Sequence, residues 1–312
     1  MTRALSAERI TSTGLALLVF AFVGIGQSQA QVRGVYPLGM SATNSGVTPD
    51  DGFTYSNQLL IYSRDELKDA DGNVTATGKN SVIMDMNTVA WVSKKETLHG
   101  GRFSMTATIP IANNSLTSDV TGDISGGSGL ADSYYQPFIL GWEQKRSAIR
   151  AVYGFLAPTG SFQAGGNNNV GSGYWTHAFS SGQSFYLTES KATVLSTFQM
   201  YEVHTTQKDT KIHPGQTMNL DYSLMQSVLA QQAWSLQVGM VGYGQWQTTD
   251  KEGPGITPEQ ANAHYRVYAL GAASNVGFPN QRASLGFKYF KEFANRSTFQ
   301  GYSVQVSGSI HF

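Results

Sequence analysis

The chain has 312 residues, with 21 basic and 21 acidic side chains and no cysteine. A zero net charge with no basic run leaves no electrostatic footing for a nucleic-acid partner, and disulfide stapling is impossible, so a long exported chain must rest on one continuous architecture. Charged residues make up only 13%, about half the globular norm, while glycine is abundant (34) and aromatics reach 12%.

Residues 1–30 read as an export signal peptide. Arg3 and Arg9 lie near the start, an apolar run follows from Leu15 to Ile25, and Ser28 and Ala30 supply small residues for cleavage after Ala30. The apolar stretch is too short for the ~20 residues a membrane-spanning helix needs, and no later segment offers such a run. Gln31–Gly52 is a periplasmic lead-in or a plug entering a lumen, and both readings stay open at this point.

From Phe53 to Phe312 a two-residue alternation recurs, which places one set of side chains on one face of a strand. It predicts strands over Phe53–Ser63, Ser81–Ser93, Gly101–Ile111, Asp132–Trp142, Ser147–Ala157 and Gly173–Ser181. It continues over Ala192–Val203, Thr217–Leu229, Trp234–Trp246, Tyr265–Ala273, Ala283–Tyr289 and Tyr302–Phe312. Gly101–Ile111 alternates most cleanly, with Phe103, Met105, Ala107, Ile109 and Ile111 against Arg102, Ser104, Thr106 and Thr108. Over Ser81–Ser93 the pattern sets Val82, Met84, Met86 and Val92 against Asp85 and Asn87, and over Asp132–Trp142 it groups Tyr134 with Phe138, Leu140 and Trp142.

About twelve strands, many nine residues or longer, predict an all-β fold: a closed, antiparallel transmembrane barrel over residues 53–312. Closure is physically required, because each unpaired backbone group in hydrocarbon costs several kcal/mol. Long connections are expected at Arg64–Asn80, Ala112–Gly129, Thr159–Ser172, His204–Gln216, Thr248–Asn262 and Phe293–Thr298, facing outward, with short periplasmic turns between. A C-terminal strand ending on Phe312 resembles the sorting signal of outer-membrane barrels. A bacterial outer-membrane location then implies membrane lipid and lipopolysaccharide around the wall, the barrel-assembly machinery as receiver, and a small-molecule solute as cargo.

Alternation points several charges away from lipid. Arg150, Arg266 and Arg282 are the leading pore-lining candidates, with Arg102, Lys288 and Glu292 beside them and Asp85, Glu202 and Asp221 as partners. Most would brace the interior as ion pairs; a few would filter solutes. The six histidines form no closely spaced cluster, and no HExxH or GxSxG occurs, so neither a metal, a catalytic residue nor a cofactor is expected.

Four segments carry a family resemblance: GFLAPTG at Gly154–Gly160 followed by Gly171–Trp175, GMVGYGQWQTTD at Gly239–Asp250, RVYALG at Arg266–Gly271, and KYFKEFANR at Lys288–Arg296. In this order they resemble the phenol-degradation MetA-pathway family. The resemblance implies an outer-membrane, transporter-like barrel connected with uptake of aromatic compounds, not an enzyme. The expected function is a passive channel for small solutes, aromatic or organic-acid. Alternatives are an adhesin or structural barrel with a plugged lumen and, as a third, an enzyme of the outer-membrane phospholipase kind.

Overall fold

A computed structural model describes residues 33–118, 122–166, 168–231 and 233–312. The expected signal peptide lies outside them. Thirteen strands form one antiparallel sheet: β1 (Gly52–Lys68), β2 (Val74–Thr97), β3 (Gly101–Ser118), β4 (Gly122–Leu130), β5 (Ser133–Glu143), β6 (Ser147–Ala157) and β7 (Thr176–Tyr186). They continue with β8 (Thr193–His204), β9 (Thr217–Ala230), β10 (Ser235–Gln247), β11 (Arg266–Phe278), β12 (Ala283–Arg296) and β13 (Phe299–His311).

Successive strands pair with each other except β4 and β5; β3 pairs with β5 instead, and β13 returns to β1, with Leu59 opposite Val306. Twelve strands therefore close a ring without an edge. β4 stands outside it and pairs only with the distal half of β3, from Ile111 to Ser118. The twelve ring strands correspond one to one to the predicted ones.

Two expected loops are not loops. Arg64–Asn80 is mostly strand, with only residues 69–73 connecting β1 to β2, and Ala112–Gly129 contains the end of β3 and most of β4. Phe293–Thr298 shrinks to a tight connection at Ser297 and Thr298. Polar side chains hid these extensions because, beyond the hydrocarbon, a strand needs no apolar face. At 17, 24 and 18 residues, β1, β2 and β3 far exceed the 9–11 a tilted span needs.

The outward surface carries the belt expected of a wall in lipid: Val89, Ile109, Phe138, Phe179, Met240 and Leu285 all stand exposed. Aromatic side chains meet in tiers near its two rims. Trp91 contacts Phe103 at the rim that holds the chain's C-terminus, and Phe155–Trp175 and Trp246–Tyr268 contact at the other.

The wall corrects two predicted faces. In β2 it is Met86 (3% exposed) and Val92 that point inward, while Asp85 and Asn87 share the outward face with Ile83 and Val89 (51% exposed). Both faces of this strand are largely apolar, so alternation could not choose between them. In β5 a bulge between Tyr135 and Phe138 switches the side-chain parity. Tyr134 thus faces inward against the cluster of Tyr36, Ala178, Phe198 and Met200, while Phe138 faces out.

Candidate functional site: the lumen and the loop pocket above it

Residues 33–47 lie inside the ring, because they bond to inward side chains of β1, of β6 to β10, and of β12 and β13. Arg33 forms an ion pair with Glu292 of β12 at 3.0 Å and bonds to the Tyr62 hydroxyl of β1 and the Phe299 carbonyl of β13. Glu292 is held in turn by Tyr62 and Tyr243 hydroxyls, by Asn295 and by the Gly301 amide. A buried charge survives only when paired and hydrogen-bonded this completely.

One turn further along, Asp221 of β9 accepts from the Tyr36 hydroxyl (2.6 Å) and from the amides of Gly39 and Ser41 (both 3.1 Å). Glu202 of β8 accepts from the Tyr36 amide. Lys288 of β12 donates to the carbonyls of Gly39 and Met40, and Gln305 of β13 donates to that of Leu38. Gly39 takes φ +79° in the turn closed by Met40 N–H to Pro37 carbonyl, a conformation that suits glycine, and its Cα sits over the Phe290 ring.

The segment then crosses to β6 and β7. Arg150 donates to the Ser45 carbonyl, and the Gly46 amide donates to Ser184. Gly46 lies so close to the Ala148 carbonyl and Ser184 amide that a Cβ there would collide with the wall backbone. The wall makes room with small residues: Ala148, Gly182 beneath Ser45, and Gly141 beneath Thr48.

The apolar inner side chains have the same explanation. Phe198 and Met200 of β8 pack on Tyr36, and Met225, Val241 and Val267 form a buried cluster with Ala42 and Leu38. This is why β8 reads apolar on both faces. The lumen beside β8–β12 is filled by protein, and Asp221, Asn219 and Gln245 are fully buried. Along β2 and β3 the inward Met84, Thr88, Arg102 and Thr106 keep partial exposure, interleaved with the buried Met86, Val92, Ser104 and Thr108.

Of the predicted lining residues, Arg150, Glu202, Asp221, Lys288 and Glu292 do point inward, but each contacts residues 33–47. Arg102 shares the inward parity of Ser104 near the rim. Arg266 and Arg282 do not line the lumen. Arg266 opens β11 on the exposed, outward parity shared with Leu270, and Arg282 sits in the turn before β12 with φ +47°. Their neighbours looked strand-like, but each lies where the strand meets a loop or turn. Asp85 is the outward residue described above. Arg33 and Tyr36 escaped detection because their segment has no alternation; a tract of Arg, Tyr, Pro and Gly ahead of a barrel was the signal available.

At the opposite rim, Asp132 joins two arms of one loop. Its carboxylate accepts from the Gly160 amide (3.0 Å), the Ser172 amide (2.7 Å) and the Ser172 hydroxyl (2.5 Å). Residues 205–208 are stitched alongside, through Trp175 N–H to Thr205 Oγ1 and Gln207 Nε2 to the Ser172 carbonyl. Between them lies a cavity of about 300 Å³ lined by Pro158, Phe162, Tyr174, Trp175, Thr206 and Lys208. Asp132 was missed because it opens a strand and carries no recognisable motif.

The family model described as "Putative MetA-pathway of phenol degradation" matches residues 64–307. The chain belongs to that family. GFLAPTG and the following GSGYW, the first of the segments that carry the family resemblance, are the arms that Asp132 clamps. Among solved structures, the chain resembles the COG4313 outer membrane channel from Pseudomonas putida F1, at 13% identity and a TM-score of 0.69 over 86% of this chain and 98% of that one. It also resembles the β domain of the Bordetella autotransporter BrkA, at 9% identity and a TM-score of 0.51 over 84% of this chain and all of that one. A search of curated proteins finds no match. The fold is that of an outer-membrane β-barrel, and it resembles a channel. Among the described residues no group of three or more His, Asp or Glu is placed to hold a metal.

Proposed function

We propose that this family member is an outer-membrane channel for small organic solutes, with residues 33–47 as an internal constriction. The observation that carries this reading is the luminal segment itself. It is held by polar side chains of β8, β9, β12 and β13, while Met84, Thr88, Arg102 and Thr106 on the inward faces of β2 and β3 keep partial exposure. A solute would pass along that uncovered side, and the contacts to Asp221 and Lys288 would set how wide it is. The loop pocket is the entry station, facing outward from the cell. Phe162, Tyr174 and Trp175 suit a flat aromatic ring, and Lys208 suits a carboxylate, so aromatic acids are the preferred cargo.

The test is solute flux into liposomes carrying the full mature chain and a variant lacking residues 33–47. Measurable uptake of benzoate by the full chain, raised severalfold in the deletion, supports the channel. A folded deletion variant that conducts while the full chain never does would instead favour a plugged structural barrel or adhesin. A barrel closed in both forms would overturn the channel altogether.

A further inference from the structure

The outward face of β1 and β2 carries a polar network in the middle of the apolar belt. Asn57 Nδ2 donates to Asp85 Oδ1 at 2.5 Å and to Asn87 Oδ1 at 3.3 Å. Asn87 Nδ2 donates to Asp85 Oδ2 at 3.3 Å, and the Tyr55 hydroxyl donates to Asn87 Oδ1 at 2.6 Å. These side chains share the outward parity of Ile61, Ile83 and Val89, which are exposed, and oppose that of Leu60, Met86 and Val92, which are buried.

Their depth follows from register. Asn57 lies opposite Asn87, and Asn87 lies opposite Ile109 of β3; Asp85 lies between Leu59 and Ile111. Phe53 and Trp91 stand below the network and Ile61 and Ile83 above it. Asn57 is four residues from Phe53, about 13 Å along a strand, which after tilt is near the middle of a belt ~25 Å tall. No Lys or Arg occupies the outward positions of Phe53–Ile61, Ile83–Trp91, Phe103–Ile111 or Tyr302–Phe312. Acyl chains offer such a carboxylate and its amides nothing, and a snorkelling headgroup cannot easily reach this depth.

We propose that this face is the interface between two copies of the chain within the membrane. The chemistry of the network favours a second copy over another partner. The network uses one of the two amide hydrogens of Asn87 and two of the lone-pair directions of Asp85, so it presents spare donors and acceptors together. A patch with both is complementary to itself across a twofold axis, where each Asn87 amide meets the other copy's Asp85 carboxylate. Tyr55 apart, the side chains directly around it are aliphatic or absent, with Leu59, Val89, Ile109, Ile111, Val306 and Gly308 nearest, and allow close approach of two walls.

The chain's lack of cysteine makes the test direct. Val89→Cys, beside the network, and Met240→Cys, on β10, are each expressed in intact outer membranes and treated with a short bis-maleimide. The expected result is a species of twice the monomer mass for Val89→Cys and at most a trace for Met240→Cys. Adding Asn57→Leu, Asp85→Leu and Asn87→Leu to Val89→Cys should lower that yield roughly tenfold or more, the scale of one or two intramembrane hydrogen bonds. Retained heat-modifiable migration shows that this variant still folds. Equal crosslinking at both sites, none at Val89→Cys, an adduct of another mass, or a yield indifferent to the three leucines would each overturn the proposal.

Discussion

The inside of the β8–β12 wall and the outside of the β1–β2 wall solve the same problem differently. Both hold polar or charged groups away from water. Inside, Asp221 takes its donors from Tyr36, Gly39 and Ser41, Glu292 takes its donors from Arg33 and from the wall itself, and both are fully sequestered. Outside, Asp85 receives two amide hydrogens from its own hairpin and stays partly open. Burial inside this barrel is thus completed by the chain itself, whereas the outward network is incomplete within one chain. It also shows that inward does not mean solvated here, since the lumen beside β8–β12 is packed like a core.

The strongest way to break the contrast is Glu292→Ala. It leaves Arg33 buried without its counter-charge, a loss on the order of 3–5 kcal/mol. Residues 33–47 should then become cleavable by protease in detergent, whereas Asp85→Asn should leave them protected. A smaller effect is expected from Gly46→Ala, whose new methyl meets wall backbone at Ala148 and Ser184 and should cost about 1–3 kcal/mol. Faster amide exchange confined to residues near Ser45 and Val47 would verify it, and an unchanged pattern would mean the segment is not pressed on the wall there.

The smallest effect concerns the β1–β2 tip. Asp69 accepts from the Asn73 side chain and from the amides of Asp71 and Asn73, contacts that hold its carboxyl below the usual value. A depressed carboxyl stabilises the folded form above its ordinary titration range and loses that contribution as pH falls through the lowered value. Amide exchange at Asp71 and Asn73, corrected for intrinsic rates, should therefore quicken in acid, and Asp69→Ala should abolish that dependence while sparing residues 33–47.

Much of the fold was legible because a wall between lipid and protein imposes alternation on each strand. Gly101–Ile111 and the final strand, with Val304, Val306 and Ile310 outward and Ser303 and Gln305 inward, illustrate it. Alternation was silent where both faces are apolar, as at Met86 and Val89, and misleading where a bulge resets parity, as at Tyr135–Phe138. The candidate site was half legible. Arg150, Glu202, Asp221, Lys288 and Glu292 were recognisable as inward charges, but their partners come from a stretch about 100 to 260 residues away in the chain.

The number of ring strands, their order and the need for closure are readable from the amino-acid sequence alone. Those follow from local side-chain period and from the cost of unpaired backbone in hydrocarbon, both of which are written residue by residue. What the interior charges face, and which side of β2 meets the membrane, emerge from the folded ring. These depend on where residues 33–47 lie within the ring and on register between strands, and both are set by packing between distant parts of the chain.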